Sequence, residues 1–525
     1  MADAVADGEV THPMIHRLAV LGAEAASHAP RHVLGLMEQC GFLSLISEIW
    51  TPLASHCILP SSMLKHVYDN YPLVFAKTVG ADRDKVRSFG ASFRANPEVA
   101  TFLAGHPQLQ GMAEGDWEYL IPLTFHEDAG PFAKKKSCNV LSFSTLLGDE
   151  TENLRQWTIA SYIKTGPATN EQLAALWAPL LADLRSLAEG RDIGPWRFIL
   201  LFAKADLECR SNSWGLPHYN AAREPCSECT ANRSTMPFTD LRASAAWRSA
   251  PALTPAAYIA RCRAPLHPLV SSDFSWRYFF PLDCMHICDC NGVTATLAGS
   301  LIRPLVMSDS RLGHRIDLRL KAVNDRLTAF YDARPRYNRM PALRVHNLDL
   351  DGWACLSGGT VKAASTRGLA LFLVELCEEF YADSDDEYQR CVSRAARALS
   401  QFYVVLYGGD RFLTASEQNG VRRALSMLGA CFQQLRNIAQ ERGLLAWNIS
   451  PKTHMVQHFK DLCKIMNPRF LHNYAEESHI GTMTKMWARS AQGRYSGSVQ
   501  KLSLVKRLVA VNVRMLRAEQ ELRDQ

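Results

Sequence analysis

Two acidic residues follow apolar segments in the first half of the chain, and carboxylates in such positions could hold a metal ion. Asp128 comes just after the stretch YLIPLTFHE, and Asp206 directly follows WRFILLFAKA. An acid just past a buried strand is partly desolvated, and two such carboxylates repel each other unless a cation lies between them. Mg²⁺ binds few protein carboxylates together with phosphate oxygens and water, so the pair could serve phosphoryl transfer at two metal ions. The alternative is that both acids are turn residues that begin loops.

Cysteines form a second candidate site. Cys226 and Cys229 have the C-x-x-C spacing that suits one tetrahedral Zn²⁺, which would need two further ligands. The candidates for those ligands are Cys209, His218, Cys288 and Cys290. A C-x-x-C pair without metal is the alternative. Ten of the 15 cysteines stand alone in the sequence and are expected to be small buried residues in a reducing compartment.

Two histidine motifs could also take part in chemistry. Asp283-x-x-His286 would place an acid and an imidazole on one side of a helix or turn. An imidazole can donate to a phosphate oxygen, and the alternative is a capping aspartate beside a core histidine. His454 and His458 lie four residues apart, on one face of a predicted helix, where they could contact phosphate, bind metal or belong to the core.

The elements that would position the two acids can be predicted from the spacing of apolar residues. Three segments have strand-like patterns: Trp117–Phe125, Ser137–Leu147 and Arg155–Lys164. Asn170–Glu189 has helical periodicity, and Trp196–Ala205 is a nearly continuous apolar run, which is typical of a strand covered on both faces. This order is the opening of an RNase H-like fold, in which the first strand is central and the strand after the first helix lies beside it. We therefore expect the two acids to meet at one edge of a sheet.

The predicted fold class is α/β plus all-α: an RNase H-like mixed sheet that is interrupted by a zinc-type loop insertion and by a large helical insertion. Changes in periodicity and Pro- and Gly-rich turns set the boundaries. They define a helical N-terminal region (1–115), the first part of the RNase H-like domain (116–210), a Cys-containing insertion (211–282), a helical insertion (283–450), and C-terminal RNase H-like helices with a basic tail (451–525).

Five short motifs occur in order over about residues 117–510. They are HEDAGPF at His126 with SCNVLSFS at Ser137, the segment from Asp206 to Cys229, PLDCMHI at Pro281, KTHMVQH at Lys452, and YAEESHIGTMTK at Tyr474. Together they resemble the first-acid, second-acid, LDVMHI, H…H and third-acid motifs of CACTA (En/Spm)-type and Plavaka-like DNA transposases, which have an RNase H-like fold.

The resemblance implies a DDE-type transposase that cleaves and joins DNA strands by in-line phosphoryl transfer. Asp128, Asp206 and Glu477 would hold Mg²⁺ or Mn²⁺, with Glu476 as the alternative third acid. His286 would orient the scissile phosphate or neutralise a leaving oxygen, and the C-x-x-C pair would bind a structural Zn²⁺ in the insertion. The implied partners are transposon ends and target DNA, without a membrane, and a homo-oligomer is compatible with this function.

Three positions depart from the motifs of that family. Ala129 stands where a glycine usually follows the first acid, Glu476 replaces an aromatic or apolar residue, and Ser478 replaces a basic one. The alternative function is therefore a catalytically inactive, domesticated DNA-binding protein derived from a transposase. A zinc-stapled helical scaffold without a role in nucleic-acid binding is a third class.

The positive charge is concentrated at the C-terminal end. Residues 481–525 hold nine Lys or Arg and three acids, an excess equal to the +6 of the whole chain. A basic segment suits a phosphate backbone, and Lys501, Lys506 and Arg507 are the predicted DNA contacts. A solvated helix face is the alternative.

Composition limits the class of protein. The chain has 525 residues, of which 47% are hydrophobic and 21% charged, as in ordinary globular proteins. The longest apolar runs, such as Phe198–Ala203, fall far short of the roughly 18–20 residues that span a bilayer. The first 30 residues lack a basic stretch followed by an apolar one, so we expect no secretory signal. A soluble intracellular protein is expected, and the implied DNA partner predicts a nuclear location.

Overall fold

The computed structural model describes residues 42–49, 51, 53–149, 154, 156–164, 169–190, 192–221, 223–251, 253–491 and 496–525. Predictions for the part of the N-terminal helical region before residue 42 lie outside these residues. The chain forms two compact units. Unit 1 takes in the described residues up to Ala205, together with Pro265–Phe279 and Ala475–Gln525, and unit 2 comprises Asp206–Ala264 and Phe280–Tyr474.

The strands belong to unit 1. They are β1 (Ser47–Glu48), β2 (His56–Cys57), β3 (Leu120–Ala133), β4 (Lys136–Thr145), β5 (Trp157–Lys164) and β6 (Arg197–Lys204). β1 and β2 form a small antiparallel pair, and the other four form a mixed sheet with the order β5-β4-β3-β6. β3 pairs antiparallel with β4 and parallel with β6. The predicted strand order and the interior position of the first strand of this sheet are therefore confirmed.

Helices account for most of the remaining structure. They are α1 (Pro60–Asn70), α2 (Pro72–Val79), α3 (Arg83–Arg94), α4 (Pro97–Gly105), α5 (Asn170–Glu189), α6 (Leu207–Asn212), α7 (Ala246–Ser249), α8 (Pro255–Arg261), α9 (Val293–Ser308), α10 (Ile316–Asp332), α11 (Ala363–Tyr381), α12 (Glu387–Gly408), α13 (Ala415–Glu441), α14 (Pro451–Met455), α15 (Phe459–Ile465), α16 (Tyr474–Ser490) and α17 (Ser496–Arg523). Among the described residues, none of these helices combines the length and apolar character needed to cross a bilayer.

The helix that connects β5 to β6 has the bounds that its sequence predicts. The Thr169 side chain accepts a hydrogen bond from the backbone N–H of Gln172, and Gln172 returns one to Thr169, which forms a capping box. Gly190 ends α5 in the left-handed conformation with φ 77°, which costs glycine little. β6 is buried along nearly its whole length, as expected for a strand covered on both faces.

β3 extends further than its apolar run predicts. Its antiparallel pairing with β4 continues to Ala133, although its parallel pairing with β6 stops at His126 opposite Lys204. Asp128 therefore lies inside β3 and not just after a strand, and Val140 on β4 is its partner. The prediction fails on this boundary because a hairpin can continue with polar residues once its neighbouring strand supplies hydrogen bonds.

Two segments belong to a different unit from the one that the predicted domain boundaries give them. Pro265–Phe279 belongs to unit 1 because it lies along β6: Trp276 donates its indole N–H to Leu201 O at 2.9 Å, and Ala203 N–H donates to Phe279 O at 2.7 Å. Residues 451–474 belong to unit 2 and not with the C-terminal helices of unit 1. Within unit 2, α12 and α13 form an antiparallel hairpin, as the helical periodicity predicts.

Candidate functional site

One face of the mixed sheet in unit 1 carries Asp128 and is covered by α16. Side chains two residues apart on a strand share a face, so His126, Asp128 and Gly130 lie together. A Cβ atom built on Gly130 would lie 2.5 Å from Thr484 Cγ2, which shows how closely α16 approaches this face. Val140, opposite Asp128, packs in the same apolar cluster as Ile480 on α16.

The start of α16 is held by a buried ion pair. Glu476 is 2% exposed and Lys204 is 5% exposed, and the Lys204 ammonium donates to Glu476 Oε1. The same oxygen accepts from Gln156 Nε2 at 2.9 Å. A buried carboxylate is tolerated when a cation and a hydrogen bond compensate for its desolvation. This pair fixes the first turn of α16 against the end of β6.

The direction of α16 follows from its contacts with the sheet. Glu476 meets Lys204, which lies in register with His126, whereas Ile480 and Thr484 meet Gly130. α16 therefore runs along β3 in the same direction, and its first turns pass over the position of Asp128. Glu477 lies in that part of the helix and is half-buried.

The two candidate third acids have different environments. Glu476 is engaged with Lys204 and Gln156, so one of its oxygens already has a cationic partner. Glu477, the next residue, remains partly accessible to solvent. Glu476 is therefore held in the interior of unit 1, whereas Glu477 is partly in contact with solvent.

Asp206 ends the segment that contains β6. It is bonded to Ala205, where the chain leaves unit 1, and it caps α6 by accepting a hydrogen bond from Cys209 N–H at 2.5 Å. The predicted position after the buried strand is confirmed. Asp206 is half-buried, and the hydrogen bond that caps α6 is accepted by one of its two carboxylate oxygens, Oδ1.

Neutral polar groups surround the ion pair on the covered face. Burial, and then the charge of Arg507, hold the pKa of His479 well below its usual value of 6.5. His479 Nε2 lies 2.9 Å from Thr158 Oγ1. The imidazole is therefore neutral at physiological pH and contributes no positive charge beside Lys204.

The opposite face of β3 holds a carboxylate that sequence reasoning did not single out. Glu127 is buried, and its Oε1 accepts from Asn139 Nδ2 at 3.0 Å and from Tyr162 OH at 3.3 Å. Its position next to Asp128 puts it on the other side of the sheet. In the sequence, only the alternation of side chains along the strand could have indicated that Glu127 lies on the face opposite Asp128.

In unit 2, four side chains form a compact Cys2His2 cluster, which we define as Cys226, Cys229, His454 and His458. Their ligand atoms all lie within 4.8 Å of one another. Each cysteine sulfur is 3.3 Å from a histidine Nε2, and the two Nε2 atoms are 3.2 Å apart. Tetrahedral zinc bonds of ordinary length would place such atoms about 3.6 Å apart for sulfur and nitrogen and about 3.3 Å for two nitrogens. The donor set and its spacing therefore fit one zinc ion.

The local backbone supports both cysteines. The N–H groups of Glu228 and Ala231 donate to the sulfurs of Cys226 and Cys229, each at 3.4 Å. Arg261 donates to the carbonyl oxygens of both cysteines, at 2.7 Å and 2.9 Å. The C-x-x-C turn is therefore held from its backbone as well as through its side chains.

Helical spacing and aromatic packing position the two histidines. Ser450 caps α14, and the four-residue spacing brings both imidazoles to one side of the chain. His454 Nδ1 lies 3.2 Å from Phe238 O, and the Trp247 ring packs against the imidazole with centroids 4.4 Å apart. A backbone acceptor on the second nitrogen is the usual support for a metal-binding histidine.

The four candidates for the remaining two ligands lie outside the cluster. Cys209, His218, Cys288 and Cys290 are not in the cluster. Cys288 lies instead 3.9 Å from Cys284, in the interior of unit 2. The histidines of the cluster are 225 and 232 residues away from the cysteines along the chain. The H-x-x-x-H spacing was visible in the sequence, but nothing in the sequence linked it to the C-x-x-C pair.

The predicted Asp283–His286 pair forms in unit 2. His286 Nδ1 lies 2.5 Å from Asp283 Oδ2, and Met285 N–H donates to Asp283 Oδ1 at 2.9 Å. Burial alone would raise the pKa of Asp283, but the bond to His286 lowers it overall. Asp283 is thus an ionised residue that orients the His286 imidazole through Nδ1.

Lys452 links this pair to Asp206 within unit 2. Its ammonium donates to Cys290 O at 2.6 Å, and burial lowers its pKa. The negative charges of Asp206 and Asp283 both raise that pKa, so both carboxylates lie within electrostatic range of Lys452. The second acid and the acid-x-x-His motif therefore share one neighbourhood.

A second buried acid of unit 2 was not predicted. Asp289 accepts hydrogen bonds from the hydroxyls of Tyr403 and Tyr474, the latter at 2.7 Å. Burial raises its pKa to about 7, although the two tyrosines act in the opposite direction. In the sequence, only the position of Asp289 directly after PLDCMHIC singles it out, and this position alone does not indicate a buried acid.

The basic tail forms α17, and its predicted DNA contacts have unequal exposure. Arg507 is 4% exposed and donates to Gln156 O at 3.1 Å. Its prediction as a DNA contact is corrected, because its guanidinium lies inside unit 1. Lys501 and Lys506 are half-buried, with Glu48 at 3.6 Å and Ser490 Oγ at 3.1 Å.

A comparison with known protein families and with curated proteins found no match for this chain.

Proposed function

We propose that the chain is a DDE-type DNA transposase, or a protein derived from one, with an RNase H-like catalytic domain in unit 1. The observation that carries the proposal is that α16, the helix that contains Glu477, packs on the sheet face on which Asp128 stands. These residues are far apart in the sequence, and an RNase H-like domain would bring acids from its first strand and from a late helix to one sheet.

The topology of the sheet supports this assignment. Its order, with β3 between β4 and β6 and with α5 connecting β5 to β6, is the order that the transposase resemblance implies. Asp206 follows β6, the parallel neighbour of β3, at the point where the chain passes from unit 1 into unit 2.

The carboxylates have the chemistry that Mg²⁺ or Mn²⁺ requires. Asp128, Asp206 and Glu477 are all half-buried, so each is accessible to an ion while being partly desolvated. Bound divalent ions would activate the attacking oxygen and stabilise the leaving oxygen of a phosphodiester. His286, held by Asp283, would donate to a phosphate oxygen of the substrate.

The Cys2His2 cluster supports a structural role for zinc in the same protein. Its four donors use every position of a tetrahedral ion, which is typical of structural zinc sites and leaves no place for a substrate. We propose that zinc joins the C-x-x-C turn of the insertion to the segment that begins at Pro451.

A catalytically inactive DNA-binding protein is the second candidate, and the Lys204–Glu476 pair favours it. The Lys204 ammonium neutralises Glu476, so this alternative third acid offers no net negative charge to a divalent cation. Such a protein would bind DNA without cutting it.

Strand cleavage distinguishes the two candidates. The purified chain would be incubated with Mg²⁺ or Mn²⁺ and with DNA that carries the genomic sequences flanking its own coding region, and nicked or joined products would be measured. We expect products from the wild type and none from Asp128→Asn, Asp206→Asn or Glu477→Gln. Binding of the same DNA should stay close to wild type, because each change removes negative charge.

Glu208→Gln is the matched control for Asp206→Asn, since Glu208 is an exposed acid on the same helix, α6. It should cut DNA like the wild type. DNA binding without any metal-dependent cleavage by the wild type would favour the inactive candidate. Equal cleavage by the wild type and the three carboxylate variants would refute the assigned acids.

A further inference from the structure

Beside the Cys2His2 cluster, two basic side chains converge on one neutral amide. Gln457 is buried, and its Oε1 accepts from Arg248 NH2 at 3.0 Å and from Lys460 Nζ at 2.8 Å. Two donors on one oxygen lie within about 6 Å of each other. Like charges at that distance repel, so the arrangement costs free energy unless an anion is near.

The orientation of Gln457 is fixed from α13. Its Nε2 donates to Leu425 O at 3.0 Å, and a Cβ atom built on Gly429 would lie 3.1 Å from the same nitrogen. The amide oxygen must therefore face the two cations. Arg422, one turn before Leu425 on the same side of α13, is exposed, and its charge lowers the pKa of Lys460.

Protein carboxylates do not neutralise these three cations. Within the described part of the chain, neither Arg248, Lys460 nor Arg422 has an ion-pair partner within 4.0 Å. The acids whose charges act on them are engaged elsewhere: Asp240 binds Arg242 at 2.7 Å, and Asp461 binds Lys464 at 2.7 Å.

The cluster also fixes the position of Arg248. The guanidinium lies 4.3 Å from the centre of the Trp247 ring, and this ring packs on His454. Arg248 NH2 donates to Leu241 O at 3.0 Å as well. Binding of metal to His454 would therefore order the surface from which Arg248 points.

We propose that Arg248, Lys460 and Arg422 form a binding site for a phosphate group of the DNA backbone. The identity of the partner rests on the proposed function. Nε and NH2 of Arg248 already donate to Arg242 O, Leu241 O and Gln457 Oε1, so Arg248 would offer its NH1 group to a phosphate oxygen. Lys460 would add a point charge, and both side chains are half-buried. The neutral Gln457 holds the donors in place without competing for the anion. Zinc and this site would then act together to position DNA on unit 2.

The test measures binding of the zinc-loaded full chain to a short fluorescein-labelled duplex at several salt concentrations. Lys460→Met and Arg422→Gln should each flatten the dependence of log affinity on log salt by about 0.9 and weaken binding at low salt. Arg422 is exposed, so its variant should fold even if Lys460→Met does not. Lys464→Gln is the control, since Lys464 lies one turn further on α15 and is paired with Asp461.

A parallel arm uses inorganic phosphate as the probe, with sulfate and chloride at matched ionic strength, and records the thermal midpoint. Phosphate should stabilise the wild type and Lys464→Gln more than Lys460→Met. Unchanged salt slopes and affinities in both Lys460→Met and Arg422→Gln would overturn the proposed phosphate site. In that case, DNA cleavage by the wild type would show that the proposed transposase function stands without this site. Stabilisation by phosphate without duplex binding would remove DNA as the ligand and would count against the proposed function as well.

Discussion

The sheet face of unit 1 that carries Asp128 and is covered by α16 is called the acidic face below. The acidic face and the Cys2His2 cluster of unit 2 are both built from residues far apart in the chain, but the protein fixes their side chains to different degrees. In the cluster, four donors lie at the spacing of a single tetrahedral ion, and backbone groups hold both cysteines. On the acidic face, protein contacts fix Glu476 through Lys204, while Asp128 and Glu477 stay half-buried.

This difference matches what each of the two proposed metal sites requires of the fold. A structural ion requires a closed set of ligands, so the chain supplies all four. A catalytic ion must leave room for phosphate and water, so the proposed magnesium site needs few protein ligands, and these must stay accessible. The neighbouring ion pair then stabilises the helix without occupying the proposed metal ligands.

Loss of the cluster should have the largest effect. Cys229→Ser, or chelation of metal from the wild type, should unfold much of unit 2, because the free energy of binding structural zinc is also free energy of folding. Zinc content by elemental analysis and the thermal midpoint measure this. Cys262→Ser is a control, since Cys262 lies in the insertion but outside the cluster. Equal zinc content and stability in Cys229→Ser and the wild type would contradict a zinc site here.

Loss of the buried ion pair between Lys204 and Glu476 should have the second-largest effect on stability. Glu476→Gln should destabilise unit 1 by about 3–5 kcal/mol, because it leaves the Lys204 ammonium buried without its carboxylate. The double variant Lys204→Met/Glu476→Gln should recover part of that loss in a denaturant titration. A cost for Glu476→Gln no greater than that of the exposed Glu208→Gln would show that the pair does not hold α16.

A pH-dependent effect is expected from Asp289. Its folded pKa of about 7 lies above its ordinary value of 3.8, so it contributes stability below about pH 4 that is lost as the pH rises through about 7. Asp289→Asn should remove this dependence, which has a limiting slope of about 1.4 kcal/mol per pH unit. Unfolding free energies of both proteins between pH 4 and pH 8 test this, with the exposed Asp325→Asn as control. Parallel curves for wild type and Asp289→Asn would contradict it.

The smallest effect should come from the partly exposed tail. Lys501→Gln should change the unfolding free energy by less than about 0.5 kcal/mol, because its pairing with Glu48 at 3.6 Å is half in solvent. If Lys501 contacts DNA, the salt slope should nevertheless flatten by about 0.9. A stability loss above about 1 kcal/mol without any change of slope would make Lys501 a structural residue.

Local patterns predicted the elements of this protein well. The period-2 segments became β4 and β5, and α5 has the bounds of its helical pattern. Side-chain alternation and capping are local properties, so they can be read without knowledge of the fold. The end of β3 was missed because it depends on pairing with β4.

The sequence by itself determined which residue types could bind metal, that Asp206 follows a buried strand, and that the spacing of Cys226 and Cys229 suits zinc. Only the tertiary structure decided that His454 and His458 complete the cluster, that Arg507 is buried, and that Glu476 pairs with Lys204. Spacing along the chain records contacts within a few residues. Packing joins residues hundreds of positions apart, because burial of apolar surface, and not sequence distance, sets which helix covers which face.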